Sequence, residues 1–148
     1  MNITIEQLQL SELEVFLREQ ADDAFPSLKD EQRRHALAEK WHTYADFCTC
    51  RDDGNRLVGM IAFYANQPNG CEAYVTHVYI SSLQRGKGIF AQMLDHVKAS
   101  VKHRKYSKMR LEVEKDNVRA QRAYMKAGFQ FLPTKMGSGK SMFMELLL

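Results

Sequence analysis

The spacing of apolar residues changes several times along the chain, and each change predicts a different element. Apolar and polar positions alternate weakly over residues 4–10, which is typical of a strand. Ser11 and Glu14 have the spacing of a capping box, which predicts that a helix begins there. Pro26 predicts the end of that helix. A second helix is expected over about residues 30–46.

The middle of the chain is rich in β-branched and aromatic residues and in turn signals. Residues 47–51 and 57–64 flank the sequence Asp-Asp-Gly-Asn at 52–55, which predicts a β-hairpin. Another turn is expected at residues 66–70. Residues 74–80 are then predicted to form the central strand.

Helical periodicity returns after two glycines, where apolar residues recur every three or four positions. This pattern predicts a long amphipathic helix over residues 87–103. Downstream we expect a strand at 109–113, a helix at 117–127 and strands at 129–132 and 141–147. Strands alternating with crossing helices predict one α/β (α+β) domain over residues 1–148. Its mixed, mostly antiparallel central sheet should have about six to seven strands, with helices on both faces.

Composition supports this prediction. A chain of 148 residues with 45% apolar and 26% charged residues has the size and balance of one globular domain. No apolar run approaches a membrane span, and the first residues lack the features of a signal peptide, so a cytoplasmic protein without membrane contact is expected. Cys48, Cys50 and Cys71 lack the spacing of a zinc site, so we predict buried thiols and no metal.

Charge is distributed unevenly between the two ends of the chain. Residues 1–32 contain eight acidic and two basic residues, a net charge of −6, whereas the remainder has a net charge of +9. An anionic partner is therefore expected beside the larger part of the chain, and a cationic one beside its beginning. The acidic residues of the first helix, such as Glu19, Asp22 and Asp23, could attract a cationic amine, although acids on a helix usually face water.

Three glycine-containing segments resemble phosphate-binding loops. The sequence Gly-Ser-Gly-Lys-Ser at 137–141 lacks the first glycine of a P-loop and precedes a predicted strand, so we interpret it as a turn. Residues 86–91 match the dinucleotide pattern G-x-G-x-x-A, but the chain has too few βα units for the doubly wound sheet of an NAD(P)-binding oxidoreductase. Residues 85–89, at a strand-to-helix turn, predict a pyrophosphate cradle of backbone amides, with a plain glycine turn as the alternative.

A second group of residues lies downstream of this turn. It comprises Leu-x-Val at 111–113, Asn117, Ala120, Tyr124 and Gly-Phe at 128–129. Together with residues 78–80 and 85–89, this pattern resembles the GNAT acetyltransferase superfamily over about residues 56–148. One position departs from the family loop, which ends in Gly or Ala where this chain has Phe90.

The resemblance implies an N-acetyltransferase that uses acetyl-CoA and acts on a primary amine by direct transfer in a ternary complex. It implies that the backbone of β-strand residues Val78, Tyr79 and Ile80 pairs with the pantetheine arm. Asn117 would contact the cofactor further along. The pyrophosphate would be held by the segment formed by Arg85, Gly86, Lys87, Gly88, Ile89, Phe90 and Ala91.

The expected chemistry needs a base and an acid. An alkyl amine with a pKa near 10 is mostly protonated at neutral pH, and a leaving thiolate with a pKa of about 8.5 benefits from an acid of similar or higher pKa. By the resemblance, Tyr124 stands where family members carry a tyrosine general acid. Glu112 is the candidate base, although strand alternation also allows it a place on a solvated charged face. His77 is the second candidate base.

Two other classes of function compete with this prediction. One is a CoA-binding regulatory module without catalysis. The other is a nucleic-acid binder that uses six basic residues between 98 and 110, but no recognition motif accompanies them and helix capping explains them sufficiently. We therefore expect a small-molecule or peptide amine as partner and no nucleic acid, with the chain acting as a monomer or homodimer.

Overall fold

The structure is a computed structural model that describes residues 1–66, 71–136 and 139–148. Two short 3-10 turns, at Pro26–Lys29 and Ser82–Gln84, accompany the regular elements. In chain order, those regular elements are β1 (Asn2–Glu6), α1 (Leu10–Asp23), α2 (Glu31–Tyr44), β2 (Asp46–Arg51), β3 (Leu57–Tyr64), β4 (Glu72–Ile80), α3 (Ile89–His103), β5 (Lys108–Glu114), α4 (Val118–Lys126), β6 (Gln130–Met136) and β7 (Ser141–Leu147).

The seven strands form one sheet in the order β1-β2-β3-β4-β5-β7-β6. Every neighbouring pair is antiparallel except β4 and β5, which are parallel. The predicted mixed, mostly antiparallel sheet with helices on both faces is therefore confirmed. A doubly wound parallel sheet, which the dinucleotide-binding alternative requires, is excluded by this order.

Each face of the sheet has its own apolar core. The stripe of α3 residues at helical spacing, including Met93, Leu94 and Val97, packs against β3 residues Ile61 and Phe63 on one face. Helices α1 and α2 cover the other face. The buried residues there are Leu13, Phe16, Leu17, Ala38, Trp41, Phe47, Met60 and Ala62. Full burial of a large apolar side chain contributes about 1.5–3 kcal/mol to the free energy of unfolding, so these two layers hold the sheet between the helices.

The predicted start of α1 is wrong. The helix begins at Leu10, with Gln9 as its N-cap and no side-chain cap, so Ser11 lies inside the helix. The amide of Leu13 donates to the carbonyl of Gln9 at 3.0 Å. Leu8 and Leu13 are both buried in the α1–α2 core, so packing starts the helix earlier than the capping signal. The preceding strand accordingly ends at Glu6 rather than at residue 10.

Other predicted boundaries agree more closely. Asp30 caps α2, where its carboxylate accepts from the amides of Gln32 and Arg33 at 3.0 and 3.2 Å. The β2–β3 hairpin is confirmed. In its turn, Asp52 accepts from the amides of Gly54 and Arg56, both at 2.9 Å. β4 begins two residues before its predicted start, and β6 extends past its predicted end.

Two predicted turns fall partly on residues outside the described ones, namely 67–70 and 137–138. β7 begins at Ser141, so a strand and not a helix follows the Gly-Ser-Gly-Lys-Ser segment. This excludes a P-loop there. Among the helices that the structure describes, none is long and apolar enough to cross a membrane.

Candidate functional site

A cleft opens in the sheet where β4 and β5 separate. The two strands pair only over Glu72–Val75 and Lys108–Leu111. Beyond that point β4 remains paired with β3 and β5 with β7, so the strand edges facing each other diverge. Thr76 is a bulge residue, because Val75 lies opposite Phe63 and His77 lies opposite Ala62. The bulge coincides with the start of the cleft.

Two adjoining cavities fill this cleft. The loop-side cavity, of about 440 Å³, lies against the β4–α3 turn and the start of α4. The strand-side cavity, of about 360 Å³, lies between the diverging ends of β4 and β5. Both cavities are lined by Ala24, Phe25, Val78, Asn117, Ala120 and Tyr124. The shared lining joins them into one groove between the two faces of the sheet.

The turn before α3 presents backbone amides to the loop-side cavity. Gly86 and Gly88 have φ angles of +77° and +78°, in the left-handed region that favours glycine. Gly88 is the N-cap of α3 and offers no side-chain cap. The amide of Gln92 bonds to the carbonyl of Gly88 at 3.2 Å, so the amides of residues 89–91 have no acceptor within the helix. An unfilled helix N-terminus of this kind attracts an anion.

The structure brings most predicted cofactor residues to the loop-side cavity. Its lining includes Val78, Tyr79, Ile80, Arg85, Gly86, Gly88, Ile89, Phe90 and Asn117. Lys87 and Ala91 are not part of the lining. The Lys87 ammonium lies 3.4 Å from Gln84 Oε1, and Ala91 is exposed, so neither side chain lies in the cavity wall. Asn117 is also the N-cap of α4, where its Oδ1 accepts from the amide of Ala120 at 3.2 Å.

Arg85 joins the turn to the end of α1. Its Nη2 donates to Asp23 Oδ2 at 2.6 Å and its Nε donates to the carbonyl of Ile80 at 2.9 Å. The Tyr79 hydroxyl donates to the same Asp23 oxygen at 2.6 Å. These hydrogen bonds, first from Tyr79 and then from Arg85, lower the pKa of Asp23. Burial, reinforced by the carboxylate of Asp23, raises the pKa of Tyr79 to about 12.

Asp23 therefore lies on the loop side of the groove. The sequence suggested it as an acid that attracts a cationic amine, together with Glu19 and Asp22. Glu19 instead pairs with Arg56 at 3.5 Å, and Asp22 is exposed outside both cavities. No motif could have paired Asp23 with Arg85, since the two are far apart in sequence and meet only because α1 packs over β4.

Tyr124 lies at the junction of the two cavities and lines both. Its ring has edge contacts with Phe90 and Phe129, with centroids 5.6 and 5.9 Å apart. Burial raises the pKa of its phenol to about 12, so the hydroxyl keeps its proton at neutral pH. The structure thus presents a protonated phenol where the two cavities meet.

Two carboxylates of β5, Glu112 and Glu114, line the strand-side cavity. Glu112 Oε1 accepts from the Ser141 hydroxyl at 2.7 Å, which orients this carboxylate. Glu112 therefore borders the groove and is half-buried, on the same face of β5 as Glu114. Its role as the base stays a prediction. The acids that line the strand-side cavity thus come from β5 and not from residues 1–32, beside which a cationic partner was expected.

His77 also lines the strand-side cavity, but its environment restricts it. Its Nε2 lies 2.6 Å from Oε1 of the fully buried Gln20. Its ring packs against Phe25 and Trp41 at centroid distances of 4.6 and 4.9 Å. Burial lowers the pKa of His77 to about 4, so the imidazole is neutral at pH 7.

The basic residues considered for nucleic-acid binding mostly contact the protein itself. Lys98 donates to the carbonyl of Ala127 at 3.1 Å, at the end of α4, and Arg104 pairs with Asp46 at 2.6 Å. Arg110 pairs with Glu72 at 3.0 Å. Their charges thus serve helix ends and ion pairs within the fold.

The three cysteines differ in their burial. Cys48 and Cys50 are buried and free, as predicted, whereas Cys71 is exposed. Burial raises the pKa of Cys48 to about 12. Over residues 1–66, 71–136 and 139–148, no group of three or more His, Cys, Asp or Glu residues could hold a metal ion.

Comparison with known proteins adds a family model and several solved structures. The model described as "Acetyltransferase (GNAT) family" matches residues 13–129. The chain is similar to the PaiA N-acetyltransferase of Thermoplasma acidophilum in complex with coenzyme A, with 19% identity, all of both chains covered and a TM-score of 0.73. It is also similar to a GNAT family acetyltransferase of Elizabethkingia anophelis with acetyl-CoA bound, with 17% identity, 99% of each chain covered and a TM-score of 0.70.

A third similar structure is an aminoglycoside 6'-acetyltransferase type Ii, with 15% identity, 99% of this chain and 97% of that chain covered, and a TM-score of 0.79. At these identities the structural likeness shows the fold. No curated protein sequence matches the chain significantly.

Proposed function

The chain belongs to the acetyltransferase (GNAT) family and is an acyl-CoA-dependent acyltransferase, and we propose that it acetylates a primary amine by direct attack on acetyl-CoA in a ternary complex. The observation that carries this proposal is the separation of β4 from β5, which connects an amide-lined turn with a carboxylate-lined cavity. A donor and an acceptor can then meet at Tyr124 from opposite ends of one groove.

The residues of the loop side fit the chemistry of acetyl-CoA. The amides at the start of α3 suit the two negative charges of a pyrophosphate. The edge of β4 after the bulge, at Val78 and Ile80, lacks a strand partner on the side of β5 and can pair with the amides of an extended arm. Arg85 adds positive charge to the same wall, although Asp23 already neutralises part of it.

Acetyl-CoA supplies an activated thioester, whose carbonyl carbon accepts the amine and whose thiolate leaves. Tyr124 is proposed to stabilise that thiolate. Because burial raises the pKa of the phenol to about 12, against about 8.5 for a thiol, full proton transfer from Tyr124 to sulfur is unfavourable. Tyr124 is better suited to donate a strong hydrogen bond to the sulfur as negative charge develops.

Glu112 is proposed to receive the proton of the amine, directly or through water. Its carboxylate lies in the strand-side cavity and attracts an ammonium group. His77 is less suitable, because its imidazole is neutral at pH 7 and its Nε2 is engaged by Gln20. The cavity accommodates a small-molecule amine or the end of a peptide chain, and we propose this class of acceptor without a narrower choice.

Binding and turnover test this proposal with the purified chain. Acetyl-CoA should raise the melting temperature, whereas NAD and duplex DNA should not. A panel of diamines, aminoglycosides, amino sugars and short peptides is then incubated with acetyl-CoA, and released CoA thiol is measured. Amine-dependent thiol release supports the enzyme. Stabilisation by acetyl-CoA without transfer to any amine would favour a CoA-binding regulatory module, and no stabilisation at all would contradict the proposal.

A further inference from the structure

Phe90 occupies the second position of α3 and departs from the small residue that GNAT-like loops carry there. Its side chain is half-buried and lines the loop-side cavity. The ring lies edge-on to Tyr124, with centroids 5.6 Å apart and planes inclined by 69°. This geometry is the favoured T-shaped arrangement of two aromatic rings.

The Tyr124 ring is half-buried against the apolar core beneath α3, where Phe90 and Phe129 are its aromatic neighbours. No hydrogen-bond partner for its hydroxyl exists among the residues that the structure describes. The residues of α4, a nine-residue helix, are half-buried or exposed. Phe129, which is buried, touches the Tyr124 ring from a second direction at 5.9 Å with an inclination of 61°. Phe90 and Phe129 therefore supply the aromatic contacts of the ring, and of these two residues only Phe90 lies at the start of α3, next to the amide-lined turn.

We infer that Phe90 is a positioning residue for Tyr124. By packing against the ring, it keeps the phenol from turning into the loop-side cavity and directs the hydroxyl to the junction of the two cavities. This inference rests on the proposed function, since it assumes that Tyr124 donates to the sulfur of CoA. Phe90 itself does not contact the reacting atoms and acts only through Tyr124.

The ionisation of the CoA thiol in the complex provides a readout that needs no acceptor. The thiolate absorbs near 232 nm, and the complex with desulfo-CoA at the same pH provides the blank for protein tyrosines. A phenol that donates to the thiolate lowers its pKa. We expect Tyr124→Phe to raise the pKa of the bound thiol by roughly one unit relative to wild type, since hydrogen bonds to charged groups are among the strong ones.

Phe90→Ala should raise the pKa of the bound thiol by at least half as much as Tyr124→Phe, when both titrations are carried out at saturating CoA. Phe90→Leu, which keeps most of the volume but loses the aromatic edge, should raise it in the same direction. The double variant Phe90→Ala/Tyr124→Phe should match Tyr124→Phe alone, because Phe90 acts only through the phenol.

Three results would overturn the inference. The first is a thiol pKa in Phe90→Ala equal to that of wild type. The second is a double variant whose shift is the sum of the two single shifts, which would show that Phe90 acts independently. The third is a Tyr124→Phe variant without any shift. Failure of the proposed function gives a different result, since wild-type protein would then either not bind CoA or bind acetyl-CoA without amine-dependent release of thiol.

Discussion

The two cavities of the groove differ in the chemical groups that line them. The loop-side cavity offers main-chain amides, held by the left-handed conformations of Gly86 and Gly88 and by the start of α3. The strand-side cavity offers side chains that come from separate elements, among them Glu112 of β5 and His77 of β4. The amides of the first cavity depend on the conformation of one turn, whereas single substitutions can change the charged and polar groups of the second.

This difference explains why the donor is easier to identify than the acceptor. A pyrophosphate cradle needs particular backbone angles, and only glycine adopts them without strain, so the requirement is visible in the sequence. An acceptor site needs shape and charge from residues that are far apart in sequence. Substitutions at the junction should therefore have the largest effect on activity, followed by those on the strand side and then those on the loop side.

The largest effect is expected at the junction. Tyr124→Phe should lower kcat about 100-fold, because the developing thiolate loses its hydrogen-bond donor. The affinity for acetyl-CoA should stay within about twofold of wild type, since the ring and its packing remain. Steady-state kinetics and calorimetry measure the two quantities. Tyr44→Phe serves as the matched control, because Tyr44 is 60% exposed and remote from the groove. Unchanged kcat in Tyr124→Phe would remove the phenol from the mechanism.

An intermediate effect is expected on the strand side. Glu112→Gln should lower kcat/KM roughly 30-fold at neutral pH, somewhat less than loss of a typical general base because water can partly replace the carboxylate. The ascending limb of its pH profile should move to higher pH. Glu114→Gln is the matched control, because this exposed carboxylate lines the same cavity from the same strand. An ascending limb identical to wild type in Glu112→Gln, or an equal loss in Glu114→Gln, would exclude Glu112 as the base.

Local signals in the sequence predict the helices and strands of the fold well. The apolar stripe of α3 and the alternation in β5 each indicate an element with one buried face, and the Asp-Gly sequence indicates a hairpin turn. The structure contains all three elements. The start of α1 was predicted wrongly because the capping signal at Ser11 is weaker than the burial of Leu8 and Leu13. Apolar packing across the fold decides such boundaries, and it is not a local property.

The candidate site divides in the same way. The glycine turn follows from spacing and Tyr124 from the resemblance to the family, and the structure places both on one groove. The bulge at Thr76, the contact of Asp23 with Arg85 and the contact of Gln20 with His77 could not be predicted. Each of these joins elements separated by many residues, so no periodicity or motif contains them.

The central claim is that main-chain geometry at the β4–α3 turn, rather than side-chain charge, holds the donor. The most direct test compares the dissociation constant of acetyl-CoA for Gly88→Ala and Lys87→Ala. An alanine at the φ of +78° is strained by about 1–2 kcal/mol, so the turn of Gly88→Ala should relax in the free protein. Binding of acetyl-CoA must then restore the strained conformation, which should weaken binding about tenfold. Lys87 lies outside the cavity lining, and its loss should weaken binding less than about threefold because exposed charge is screened. A larger loss for Lys87→Ala than for Gly88→Ala would contradict the claim.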